Sequence, residues 1–378
     1  MDVLPSTEWP DLRSRVRGFV VGYCLGDALG RSPNPHAGIL PVGTPSLLFL
    51  SSTEGVIRAL VRASLSGAPA GVPEACWHAT ARWAYRARRQ TLPGVLAWQE
   101  SAPSATWPDG WLSQLSLLQG GRGSAPAVEE ALQLGSNLDP RPGESASDSA
   151  GDLVLARTLP VALLAAAHRG GAPQVADDAD LGLHVSKVAR DVAAYSHGLP
   201  AQVVAVALTR TAVKVLTTGE VQPLADLPDL SSVYEGVPGA SEVVRARVAL
   251  RALADVLPPH PRATTFVSHG VPAGPRTALR ALSEGAFCAL THAGRAEVAG
   301  AVEDLLQTPE PAAGAVALSL LGAAHGIEAL PPDAVARLDV GHVADQLAND
   351  LLTQTHAGPL AGGDTPAAHA WLERYPAW

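Results

Sequence analysis

Arg17-Gly18-Phe19-Val20-Val21-Gly22-Tyr23-Cys24-Leu25-Gly26-Asp27-Ala28-Leu29-Gly30 sets glycines at 18, 22, 26 and 30. That interval lines them along one side of a helix. Glycine costs a helix about 1 kcal/mol per position relative to alanine, so a stripe of four implies that another backbone comes too close for a side chain. Membrane helices use the same spacing, but Arg13, Arg15 and Arg17 precede the stretch and Asp27 interrupts it. It therefore predicts a helix packed backbone to backbone inside a fold.

Outward from it, Ala, Leu and Val recur at i, i+3, i+4 and i+7 over segment after segment, with Pro or Gly between them. The spacing predicts helices over 56–65, 73–88, 127–134, 153–168, 180–194, 201–215, 241–256, 275–292, 296–306, 312–325 and 332–352. Loops are expected at 101–110, 135–151 and 217–239, where Ser, Asp, Pro and Gly collect. The chain reads as all-α, and no composition shift marks a linker, so residues 1–378 are expected to form a single domain.

Composition narrows the class. With 47% hydrophobic residues, 378 positions supply a sizeable core, and 36 glycines and 32 prolines spread without a period exclude a collagen-like chain. Net charge is −9 and lysine occurs only at 187 and 214, so no basic tract exists to neutralise a phosphate backbone and nucleic acid is not an expected partner. Cys24, Cys76 and Cys288 are odd in number and far apart, which fits neither a disulfide framework nor a zinc site. The unbroken apolar and small run 312–324 falls short of the roughly 18 residues a membrane span needs. With no signal-like N-terminal stretch, a cytoplasmic location and no membrane partner are expected.

Five short segments, in order, resemble the ADP-ribosylglycohydrolase family. Gly26-Asp27-Ala28-Leu29-Gly30 resembles the end of that family's first helix, Gly121-Arg122-Gly123-Ser124 its Gly-x-Gly-Ser/Thr loop, and the stretch from Gly151-Asp152 to Pro160 its Gly-Asn-Gly helix start. Tyr195-Ser196-His197-Gly198 resembles its Thr-His segment, and Gly322-Ala323-Ala324-His325-Gly326 its last Gly-Ala-x-x-Gly helix. The resemblance implies a compact helical fold and hydrolysis of the glycosidic bond joining ADP-ribose to a side chain or small molecule. It also implies two divalent cations, magnesium or manganese, which need carboxylate and hydroxyl oxygens.

The ligands implied are a Thr-Asp-Asp-Thr motif after the first helix and a Gly-Gly-Asp-x-Asp-Thr motif before the last long one. Counted from the anchors, these fall on Leu50-Ser51-Ser52-Thr53 and on 307–312, so the expected aspartates are replaced by Ser51, Ser52, Pro309 and Pro311. Another family acidic position is matched by Asn34. A serine hydroxyl is a poor substitute for a carboxylate and proline offers no side-chain oxygen, so no catalytic set and no metal cofactor are expected. Glu54 and Glu310, each beside a lost motif, are weak candidates for one cation; exposed helix-start glutamates are the preferred reading.

Gly121, Gly123, Ser124 and Gly151 remain compatible with backbone amides presented to a diphosphate, as at helix N-termini. Asp152 stands where the resemblance has asparagine and is read first as a helix-start carboxylate; His197 matches the histidine near the nucleotide sugar and, followed by Gly198 and Pro200, reads equally as a helix-end residue. The expectation is a pseudoenzyme that binds an ADP-ribose-type or nucleotide ligand, or a protein partner. A divergent hydrolase drawing on Asp27, Glu54, Asp152, His197 and Glu310 is the alternative. An assembly protein whose cleft is filled by Leu50 and its neighbours is the third.

Overall fold

The computed structural model describes residues 11–32, 36–69, 71–101, 107–134, 144–145, 147–169, 178–221, 230–257, 276–307, 310–355 and 358–377. In chain order the helices are α1 (Leu12–Leu29), α2 (Thr44–Ser66), α3 (Val72–Arg86), α4 (Pro93–Ser101), α5 (Trp111–Gln114) and α6 (Pro126–Gln133). They continue with α7 (Leu153–Thr158), α8 (Leu164–Arg169), α9 (Asp178–Ala194), α10 (Leu199–Thr218), α11 (Ala240–Val256) and α12 (Ala278–Thr291). The last are α13 (Val298–Gln307), α14 (Pro311–His325), α15 (Pro332–Arg337), α16 (Gly341–Thr355) and α17 (Pro366–Arg374). Among the described residues the only β pairing is two isolated bridges, so the fold is all-α as the periodicity implies.

The glycine stripe is the spine of this arrangement. α1 opens on Asp11, whose carboxylate accepts the Ser14 amide at 2.7 Å, and then runs antiparallel along α14. A Cβ added at Gly18, Gly22 or Gly26 would lie closer than 3.0 Å to the carbonyl oxygens of Gly322, Leu318 and Gly314, and one at Gly30 would meet the Pro311 Cα at 2.6 Å. Gly314 and Gly322 return the favour, leaving room for the backbone of Gly26 and Gly18. The contact brings the C-terminal end of α1 against the N-terminal end of α14.

α2 begins at Thr44, well ahead of the expected 56–65. Pro45 presets the first turn, and Leu47 to Leu50 are buried on every side. A run apolar all round has no period to detect. The expected helix 153–168 is broken by Pro160 into α7, a 3-10 turn over Leu159–Leu163 and α8. The expected 332–352 divides at Leu338, whose extended backbone bridges Leu40 through Leu40 N–H to the Arg337 carbonyl at 2.8 Å and Asp339 N–H to the Leu40 carbonyl at 3.1 Å. That bridge sets the entry to α2, because the Asp339 carboxylate also accepts the Val42 amide at 3.2 Å.

α10 is the one described helix long and apolar enough to cross a membrane. Thr209, Arg210, Thr211 and Lys214 interrupt its apolar run, which is why counting unbroken runs passes over it. Most of its apolar window, 78%, is buried in the fold against α9, α11 and the 3-10 turn, the position of a core helix.

Candidate functional site

Where α1 and α14 meet, the starts of α2, α6, α7 and α14 converge on a cavity of about 350 Å³. The first turns of α2 (Thr44, Pro45), α6 (Pro126, Ala127) and α14 (Pro311, Ala312) all line it. None of these three has a side-chain N-cap hydrogen bond, so the positive dipole ends at the cavity are not neutralised by a cap.

One side of the cavity is cationic. Asp27, fully buried in the last turn of α1, accepts from Arg31 Nε at 2.6 Å, the Gly43 amide at 2.8 Å and Ser46 Oγ at 2.7 Å. It thereby fixes the Arg31 guanidinium over the start of α2, where a Cβ on Gly43 would collide with it. Arg122, which also lines the cavity, is held by Asp339, the Val42 carbonyl at 3.4 Å and the Leu117 carbonyl at 2.9 Å. The loop of Gly123 and Ser124 is braced from outside by Arg89, which donates to the Gly123 carbonyl at 3.0 Å.

The same cavity carries two carboxylates. Asp152, the residue before α7, makes no side-chain cap hydrogen bond, and burial pushes its carboxyl above the usual range, with Arg276 and Arg31 opposing the rise and Glu310 adding to it. Glu310, before α14, is half-exposed and faces Arg280 at 3.6 Å and Arg276 at 3.9 Å. Arg276 itself lines the cavity.

His197 completes the wall as a buried ring. Ser196 Oγ accepts from Arg157 Nη1 and is hydrogen-bonded to His197 Nδ1 at 2.8 Å, which fixes the ring against α7. Burial, then the Arg157 charge, drives the His197 pKa from 6.5 down to about 3. The ring is therefore uncharged near neutrality. Because the folded value lies below the unfolded one, the unfolded chain alone takes up this proton as pH falls below 6.5. The stability His197 contributes is full above pH 6.5 and is lost progressively toward pH 3, and His184 and His325, also lowered chiefly by burial, act in the same direction. Urea midpoints should fall over that window and fall less steeply in His197→Gln; an identical slope would assign the proton uptake to other groups.

The structure thus brings Gly123, Ser124, Gly151, Asp152, His197, Glu310 and Pro311 to one cavity. Gly121 is not in its lining and sits against Arg89. Gly151 lines it, but its amide donates to Ser149 Oγ at 3.1 Å and is not available to an anion as expected. Ser51, Ser52 and Glu54 are corrected: they lie buried within α2, not ahead of it. Ser51 Oγ accepts from Arg86 at 2.8 Å, and Glu54 pairs with Arg58 at 3.0 Å, so Glu54 is neither an exposed helix-start residue nor a partner for Glu310. Leu50 is buried in α2 and does not fill the cavity. Asn34 and Pro309 lie outside the described residues. Arg31, Thr44 and Pro45 were missed; the Thr-Pro pair at a helix start was the available signal.

The donors at the two helix starts do not fit a pair of dications. The α2 start offers Thr44, Pro45 and Ser46 beneath a guanidinium, and the described α14 start offers one carboxylate beside two arginines. Among the described residues no three His, Cys, Asp or Glu side chains converge to hold a metal. Nor is there a thiol nucleophile at hand: burial pushes Cys76 and Cys288 up to about 12 and Cys24 higher still.

Fold and site together define an all-helical protein with a polar ligand cavity framed by helix starts. The family model of ADP-ribosylglycohydrolase matches residues 8–359, and the chain belongs to that family. One solved structure it is similar to, described as an ADP-ribosylglycohydrolase-related protein complex, is 16% identical with a TM-score of 0.49, over 91% of this chain and 99% of that one. No curated protein matches the sequence.

Proposed function

We propose that this chain is a non-hydrolysing, cytoplasmic member of its family that binds an ADP-ribose-type or nucleotide ligand without divalent cations. The observation that carries the reading is the charge around the cavity: Arg31 stands over the start of α2, and Glu310, beside the second motif implied by the resemblance, faces Arg276 and Arg280. A ligand with a phosphate end and a hydroxylated sugar suits a cavity that holds both cations and carboxylates. Its anion is drawn to Arg31, Arg122 and the helix starts, while Asp152 and Glu310 accept hydroxyl hydrogen bonds beside the His197 ring.

Calorimetry with ADP-ribose should give the same affinity in magnesium, manganese or chelator, and ADP-ribosylated arginine, serine and nucleotide substrates should remain intact. Metal-dependent turnover lost in Asp152→Asn or Glu310→Gln would overturn the reading. It would instead favour a divergent hydrolase, for which the raised Asp152 carboxyl is the natural acid.

A further inference from the structure

We propose that the first turn of α2, with the Arg31 guanidinium and the Thr44 hydroxyl, forms a phosphate-oxyanion subsite in which a side-chain cation supplies the positive charge. The inference deepens the reading above, since it assigns the phosphate end of the ligand to a particular set of groups.

The Thr44 hydroxyl is the independent pointer to a ligand. Thr44 is 2% exposed and lines the cavity, yet its Oγ1 has no hydrogen-bond partner among the described residues. Leaving a buried hydroxyl unpaired costs about 1–3 kcal/mol, so a group retained in that state implies a partner that is sometimes present. Across from it Gly123 sits at φ 137°, and a Cβ there would come to 3.1 Å from Thr44 Oγ1. The glycine keeps the space in front of the hydroxyl free of side-chain atoms.

Arg31 supplies the charge. Asp27 takes its Nε, leaving Nη1 and Nη2 without hydrogen bonds among the described residues. Asp27 is fully buried, whereas the Arg31 side chain is 30% exposed and lines the cavity, so an entering group meets the guanidinium first. The uncapped start of the 23-residue helix adds its positive dipole end. A planar guanidinium and a hydroxyl at a helix start offer donors and positive charge to one small volume, which suits a tetrahedral oxyanion with its many lone pairs.

Inorganic phosphate and ADP-ribose, titrated separately into wild-type protein, Thr44→Val and Arg31→Gln, test this, with circular dichroism and unliganded melting confirming that each variant folds. Phosphate should bind the wild type without magnesium, about 5- to 10-fold more weakly in Thr44→Val and at least about 30-fold more weakly in Arg31→Gln. Phosphate affinity unchanged in both variants overturns the subsite, as does magnesium binding that Thr44→Val removes. ADP-ribose binding equally well to wild type and Arg31→Gln also overturns it, while leaving the cavity's ligand reading intact. Phosphate following the expected order while ADP-ribose binds no better supports the subsite and sinks the ADP-ribose reading instead.

Discussion

Gly26→Ala should lower stability by about 2 kcal/mol or more, and Gly26→Leu should yield no folded protein, although both replacements favour an isolated helix. The intrinsic gain from alanine is about 1 kcal/mol. Against it stands overpacking, about 1–3 kcal/mol where side chains can yield and more where they cannot. Here the obstacle is the Gly314 carbonyl and the backbone around it, closer than 3.0 Å to the new Cβ. Relief requires α1 and α14 to part along their whole contact, which also releases Gly18, Gly22 and Gly30 from their neighbours. Gly182 on α9 is the control: a Cβ there meets the far end of the flexible Arg210 side chain, so Gly182→Ala should be neutral or gain up to about 1 kcal/mol. Urea denaturation of both variants gives the comparison, and equal effects at the two glycines would show that the stripe is not the spine of the fold.

That asymmetry explains what the sequence could disclose. The α1 stripe was legible because four glycines at a helical interval have few other uses, and the cavity residues from Gly123 to His197 were legible because their segments resemble a family in order. α2 was legible only in its second half. Its first half, Leu47 to Leu50, is buried all round, so hydrophobicity carries no phase there, and counting from the anchors put the motif on Ser51 and Ser52. Those residues lie seven and eight positions beyond Thr44, about 10–12 Å along the helix axis, and do not line the cavity. Arg31 and Arg276 escaped for a different reason. Long side chains reach the cavity from elements separated by most of the chain, and no local pattern encodes where a guanidinium ends up.

The groups that hold the displaced segment predict a second large effect. Asp109→Ala should destabilise by about 3–5 kcal/mol, because it strips the shared counter-ion from a buried cluster. Asp109 Oδ1 accepts from Arg82 Nε at 2.7 Å and Arg58 Nη1 at 3.1 Å, and its carbonyl accepts from Arg58 Nη2 at 3.0 Å. Glu54 takes Arg58 from the other side, and Arg86, anchored on Ser51, lies within the field of the same acid. Burial already draws Arg82 down to about 9 and Arg86 to about 10, the sign of cations held with little solvation. With Asp109 gone, Arg58 and Arg82 lose the carboxylate they share in a site almost closed to water. Removing a cation at the same time should restore part of the loss, so Arg82→Met combined with Asp109→Ala should be more stable than Asp109→Ala by at least about 1 kcal/mol. A single-variant loss below about 1 kcal/mol would mean that water reaches the cluster. The same chemistry gives Ser51 and Glu54 their place: Ser51 Oγ and Glu54 Oε1 each hold a buried arginine in the cluster that binds α2 to α3.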